Sequence, residues 1–261
     1  MPGSGRLRAT PARRVRRGEV VEELTELVVV EEPLEIRVEG VPTAITMRTP
    51  GDDLDLVIGF LAAEGVIDGI DDVRAIAEVG ENTVDVRLAE GVAPARARSA
   101  DRALYATSAC GVCGKASLDR LRPPGGRRGE PWWPEDAVLA GLGAALGAAQ
   151  PTYERSGGLH AAALFGPDGA LRHVREDVGR HNAVDKVLGA RLRAEEHDLP
   201  VGVVVTSRAG FEIVQKVVAA GVPCLVVMGA ATSLAVELAA SAGLGLVTWL
   251  RDERWLEHGK G

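Results

Sequence analysis

Cys110 and Cys113 stand three positions apart in SACGVCGKAS, residues 108–117, among glycines, small residues and one lysine. Two thiols at this spacing can clamp a metal, form a disulfide or act as reactive nucleophiles. A structural zinc site takes four ligands, and the pair supplies two. His160, His173 and His181 could complete such a site, but the chain has no second metal-spaced pair. A thioredoxin-like pair sits where a strand meets a helix in a βαβ unit, whereas glycines flank both thiols here and read as an exposed loop. Lys115, and the start of a short helix expected from Lys115 to Leu121, place positive potential beside the thiols and favour the thiolate. Such a cysteine can accept a sulfane sulfur from another protein's persulfide, with the second cysteine helping turnover. Cys110 is then the carrier and Cys113 the helper. On the residues alone, relay, zinc clamp and redox pair all remain open.

Other side chains stand at positions suited to binding. In GRHNAVDK, Arg180, His181 and Asp185 occupy the first turns of an expected helix, with His181 and Asp185 one turn apart. They can serve as caps and ion pairs, or a helix N-terminus carrying Arg and His can hold a phosphate oxygen. Ser207 and Arg208 fall where a parallel strand gives way to a helix, the usual ligand edge of an open α/β sheet, and read as anion contacts. His160, on an apolar strand, reads as a satisfied core histidine. Cys224, inside the apolar run PCLVVMG, reads as inert core. The odd total of three cysteines argues against a disulfide framework.

These residues need elements to position them. Segments 20–30 and 33–48 read as extended, with a turn at Glu39-Gly40. From Gly51 the period changes: Leu54, Val57, Ile58 and Leu61 recur at helical spacing after Asp52 and Asp53. VRAIAEV and TVDVRL follow as strands joined by Gly80-Glu81-Asn82. Strand, strand, helix, strand, strand predicts a small α+β, β-grasp-like N-terminal domain over 20–107. The Pro-, Gly- and Arg-rich RPPGGRRGEPWWP ends a cysteine loop and linker, 108–134. Then come a helix over 135–149, a hairpin of HAAALF and ALRHVRE around Pro167-Asp168-Gly169, and a helix over 179–194. Strands at 201–206, 223–229 and 244–250 alternate with helices near 210–220 and 232–242. The order α-ββ-α-β-α-β-α-β predicts an α/β fold in which 135–261 form a three-layer α/β/α domain of the cytidine-deaminase-like kind.

A chain of 261 residues with 46% hydrophobic content can bury a sizeable core, and 3% aromatics leaves the packing to Ala, Val, Leu and Ile. No apolar run reaches the roughly 18 residues of a membrane helix. The charged stretch after Arg16-Arg17 lacks the apolar segment of a twin-arginine signal, so cytoplasmic residence without membrane attachment is expected. Residues 1–17 carry six arginines and no acid, so the formal charge of −7 becomes −13 without them. Residues 1–19 are expected to be a disordered basic tail. The acidic body argues against a nucleic-acid partner.

A zinc deaminase carries H-x-E at the helix after the hairpin and P-C-x-x-C at the next. The chain has Arg180-His181-Asn182-Ala183 and Ser207-Arg208-Ala209-Gly210 there, so zinc deamination is not expected. Instead SACGVCGKAS, GGLHAAAL, EDVGRHNAVDKVLG, VTSRAGFEIVQKVVAAGVPCLV and LVTWLRDER together resemble the FdhD/NarQ family of formate dehydrogenase accessory sulfurtransferases, from about residue 20 to the C-terminus. The resemblance implies sulfur relay from a cysteine desulfurase, through a persulfide on Cys110, to the bis(molybdopterin guanine dinucleotide) molybdenum cofactor before it enters formate dehydrogenase. It also implies a homodimer and a cytidine-deaminase-like core; with no second metal-spaced pair, no bound zinc is expected. The family's cofactor-binding terminal segment falls on Trp249, Leu250, Arg251, Asp252, Glu253 and Arg254, with an aromatic followed by two arginines. Asp252-Glu253 is more acidic than the family pattern there. Arg180, His181, Ser207 and Arg208 would join Arg251 and Arg254 at one rim, with GDP as a usable cofactor fragment. The alternatives are a molybdenum cofactor carrier that relays no sulfur and a zinc-stabilised structural protein.

Overall fold

The computed structural model describes residues 5–92, 130–195 and 201–260. Cys110, Cys113, the expected helix over Lys115–Leu121 and most of the linker lie outside the described residues. The described residues build a mixed α/β fold with three sheets.

Leu7–Arg16 (β1) and Glu19–Val29 (β2) pair antiparallel as a two-stranded ribbon. The basic stretch expected to be a disordered tail is therefore strand over 7–16. Its arginines face glutamates across the ribbon, Arg13 opposite Glu23, Arg14 opposite Glu22 and Arg16 opposite Glu19. Such opposite-charge pairs support a ladder without any buried face.

Glu32–Val38 (β3), Val41–Arg48 (β4), Val73–Gly80 (β5) and Thr83–Leu88 (β6) form the second sheet in the order β4-β3-β6-β5. Helix Asp53–Ala63 (α1) begins where the acids predict and packs Leu56, Val57, Ile58 and Leu61 against Leu34, Ile36, Val84 and Val86.

The third sheet contains His160–Phe165 (β7), Leu171–Asp177 (β8), Gly202–Val205 (β9), Cys224–Val227 (β10), Gly245–Arg251 (β11) and Arg254–His258 (β12). Its order is β12-β11-β10-β9-β7-β8. β9, β10 and β11 are parallel, while β7 runs antiparallel to β9 and β12 antiparallel to β11. Valines alternate between its faces. Val203, Val205 and Val227 pack with helices Arg180–Arg193 (α4), Phe211–Ala219 (α5) and Ser233–Ala242 (α6). Val204, Val226 and Val247 pack with Leu139, Leu142 and Leu146 of helix Asp136–Ala148 (α2). The sheet is thus covered on both faces, as near-continuous apolar strands require. Besides β1, two elements go beyond the sequence reading: the short helix Pro151–Ser156 (α3) and strand β12, which puts Arg251 and Arg254 within a hairpin rather than beyond the last strand.

The two sheet units meet where α1 crosses α4. A Cβ on Gly59 would lie 1.9 Å from the Asp185 carbonyl oxygen, and one on Gly189 would lie 1.9 Å from that of Asp55. Only glycine permits this backbone approach. The acid Asp55 beside the crossing accepts from Arg175 (2.8 Å) and Arg193.

Candidate functional site

The carboxyl ends of β9, β10 and β11 open into a cavity of about 810 Å³. This is the edge at which parallel strands leave a crevice for ligands. Helix α2 directs its leucines to the sheet and, one step round its surface, presents Ala140, Gly143, Ala144 and Gly147 to the cavity. These small residues form a flat wall facing Met228 and Leu250, which lie about 4 Å from the position of a Cβ on Gly143. Gln150, Tyr153, His160, Thr206, Arg251 and Asp252 supply the polar lining.

Arg251 is exposed at the rim. Its Nη1 donates to the Met228 carbonyl and, at 2.9 Å, to that of Leu250, fixing the guanidinium at the strand ends. Pairing between β11 and β12 breaks between Thr248 and Arg251, and the Trp249 N–H donates instead to the Gly229 carbonyl. Trp249 adopts φ 55°, in the left-handed region disfavoured for bulky residues, and the residue is 49% exposed. The bulge turns a large apolar ring to solvent, an arrangement that favours a surface contact over folding. Arg254 faces Arg251 across the hairpin, with Asp252 at φ 45° in the turn between them.

His160 opens β7 and is half-buried. Burial holds its imidazole below the ordinary value; the neighbouring Arg180 and His181 add to this, and Asp177 opposes it. Nδ1 lies 3.4 Å from the Thr206 hydroxyl, which itself accepts the Ala161 N–H at 3.0 Å.

The stretch EDVGRHNAVDK performs a different task. Glu176 accepts from the N–H groups of Thr152 and Tyr153 and so caps α3. Asp177 and Lys186, both wholly buried, pair at 2.8 Å. Asp177 also accepts from the N–H groups of Thr49 and Gly179, and Lys186 donates to the Thr49 carbonyl. Asn182 bridges to Thr46 and the Met47 carbonyl. Every one of these links to residues 46–49 ties the second sheet to the third. His181 pairs with Glu212 at 2.8 Å, and Asp185 with Lys216 at 2.8 Å, both from α4 to α5. Burial raises the Asp185 carboxyl above its ordinary value against the pull of Lys216; burial acts to lower Lys216, but Asp185 and Glu64 outweigh it and hold it raised.

Of the residues named from the sequence, Leu250, Arg251 and Asp252 line the cavity, joined by His160. Trp249, Glu253 and Arg254 stand on the adjoining hairpin. Arg180, His181, Ser207 and Arg208 are not among its lining residues, so the four arginines do not converge on this one cavity. His181 and Asp185 follow the ion-pair reading. Ser207 is buried, its hydroxyl donating to the Arg208 carbonyl at 3.1 Å, while its own carbonyl receives the Gly229 N–H. Cys224 is buried and burial pushes its thiol up, in keeping with inert core. Gln150, Thr206 and Met228 carry no sequence signal because they are single residues at element ends, and Tyr153 sits in a helix of six residues. The α2 small-residue spacing was the one signal of the wall.

The sequence profile of the FdhD/NarQ family matches residues 29–256. The chain belongs to the FdhD/NarQ family. A protein named sulfur carrier protein FdhD from Anaeromyxobacter dehalogenans strain 2CP-C is 48% identical over 252 residues, 89% of this chain and 86% of its own. One of the same name from Mycobacterium tuberculosis is 45% identical over 267 residues, 94% and 95% of the two chains. The fold is similar to a crystal structure from Desulfotalea psychrophila that carries a formate dehydrogenase accessory name. That pair has a TM-score of 0.78 at 23% identity, over 97% of this chain and 96% of that one. No helix among the described residues is long and apolar enough to cross a membrane.

Proposed function

We propose that this chain is a cytoplasmic sulfur carrier serving formate dehydrogenase maturation. Cys110 thiolate attacks the outer sulfur of a cysteine desulfurase persulfide, the donor cysteine leaves as thiolate, and Cys110 holds the sulfur as a persulfide. Cys113 assists its release. The recipient is the bis(molybdopterin guanine dinucleotide) cofactor, held as substrate at the β11–β12 hairpin and the cavity beneath it, on a cytidine-deaminase-like three-layer domain in a homodimer. The observation carrying this reading is the joint presence of the Cys110-x-x-Cys113 motif in a family member and a rim arginine over a slot. Arg251 suits phosphate oxygens, Trp249 suits a flat ring, and the α2 wall admits a planar heterocycle.

Intact-mass spectrometry of the full chain, after incubation with a cysteine desulfurase and cysteine, tests the relay. Each bound sulfur adds about 32 Da. Loading is expected in wild type and Cys113→Ala and lost in Cys110→Ala. No adduct in the wild type refutes the relay, and equal loading of Cys110→Ala refutes that carrier.

A further inference from the structure

Strand β5 ends the second sheet, and among the described residues nothing pairs with its outer edge. Arg74, Ala75, Ala77, Glu78 and Val79 are exposed along it, Val79 by 56%. An open strand without proline and with small apolar side chains is a template for another strand. The opposite edge, β4, differs: it holds Pro42 and is fastened to the third sheet through Thr46 and Met47. At and beside β5, Ile70, Val73 and Ile76 form a half-buried margin of the core beneath α1. Arg74 and Glu78 make no ion pair among the described residues; Arg74 reaches only the field of Glu39, which Arg87 already pairs.

Opposite residues of an antiparallel pair share a face of the sheet. Two copies of one strand related by a two-fold axis therefore set some residue opposite itself, and that residue fixes the whole register. With Arg74 or Glu78 at the axis, like charges meet. With Ala75 there, Glu78 meets Asp72; with Ala77 there, Ile76 meets Glu78. With Ile76 at the axis, Arg74 of each copy lies opposite Glu78 of the other, Ala75 opposite Ala77 and Val73 opposite Val79. This register alone pairs both charges, and it sets the half-buried Val73 and Ile76 against apolar residues of the second copy. The β1–β2 ribbon has no such register. β1 carries only arginines and β2 only glutamates as charges, so self-pairing of either edge opposes like charges.

We propose, resting on the homodimer of the reading above, that two copies join edge to edge through β5, antiparallel about Ile76, as one sheet with four strands from each. Main-chain hydrogen bonds between the two edges supply the attachment, and the two Arg74–Glu78 pairs set the register.

Sedimentation velocity of the full chain over a concentration series tests this. Wild type is expected to dimerise. Arg74→Glu and Glu78→Arg each turn both contacts between the copies into like-charge pairs, and each should weaken dimerisation about tenfold or more. An equimolar mixture of the two variants restores opposite charges at both contacts and should dimerise as wild type does. Mixing cannot cure a folding defect, so recovery separates loss of the contact from loss of structure. Dimers that tolerate either reversal, or a mixture that stays dissociated, overturn the β5 contact and leave the homodimer to another surface. A monomeric wild type overturns the homodimer and this contact together.

Discussion

Two charged stretches stand out in the sequence, EDVGRHNAVDK and WLRDER, and the fold uses them in opposite ways. In the first, Glu176, Asp177, His181, Asp185 and Lys186 each find a partner within the protein, most of them buried. In the second, Arg251 and Arg254 stand exposed on a hairpin, and among the described residues only one nitrogen of Arg251 is bound, to two carbonyls. A dense cluster of charges is therefore no guide to a ligand site until the internal partners are known. The first stretch holds the molecule together; the second leaves donors for something outside it.

If that contrast holds, the largest effect belongs to the first stretch. Lys186→Leu strands Asp177 in the interior and should cost about 3 kcal/mol of unfolding free energy, read from urea denaturation. Gly59→Ala pushes a Cβ into the Asp185 carbonyl across the helix crossing and should cost about 1–3 kcal/mol in the same assay. Arg251→Ala combined with Arg254→Ala should do the reverse: stability within about 0.5 kcal/mol of wild type, but GDP affinity down about tenfold, or 1.4 kcal/mol. Its persulfide loading should match wild type by intact mass. A double variant that unfolds easily, or binds GDP normally, would erase the contrast.

The smallest effect is at His160. Its folded-state imidazole is held below the ordinary value near 6.5 by burial, so on acidification the unfolded chain takes up the proton first. Its contribution to stability is complete above the ordinary value and is lost as pH falls from there through the lowered one. Denaturation midpoints measured between pH 8 and pH 5 should fall less steeply in His160→Gln than in wild type; identical profiles would contradict the assigned shift.

Most strands and helices were legible because each has one face against a core: the period-two valines of β9 to β11 and the Leu54, Val57, Ile58, Leu61 spacing of α1 follow from burial. β1 was not, because its stabilising pairs lie across a solvated ribbon and its arginines look like a tail when the opposing glutamates are ignored. α3 has only six residues and takes its cap from Glu176, 24 positions beyond Thr152. β12 follows a turn whose left-handed residue is Asp252 rather than glycine, so no turn signal marked it. The terminal arginines were identifiable from the motif. The cavity end with Gln150 and Thr206 was not, since the packing of α2 over the sheet brings it together.

The glycine crossing of α1 and α4 bears on how the protein comes apart. Helices whose backbones touch at Gly59 and Gly189 leave no lubricating layer of side chains between the two sheet units, and the Thr49–Asp177–Lys186 contacts fasten the same seam. Neither unit can melt without exposing the main chain and the buried ions of the other. Heating or denaturant should meet a single cooperative transition in place of the two steps that independent units would give.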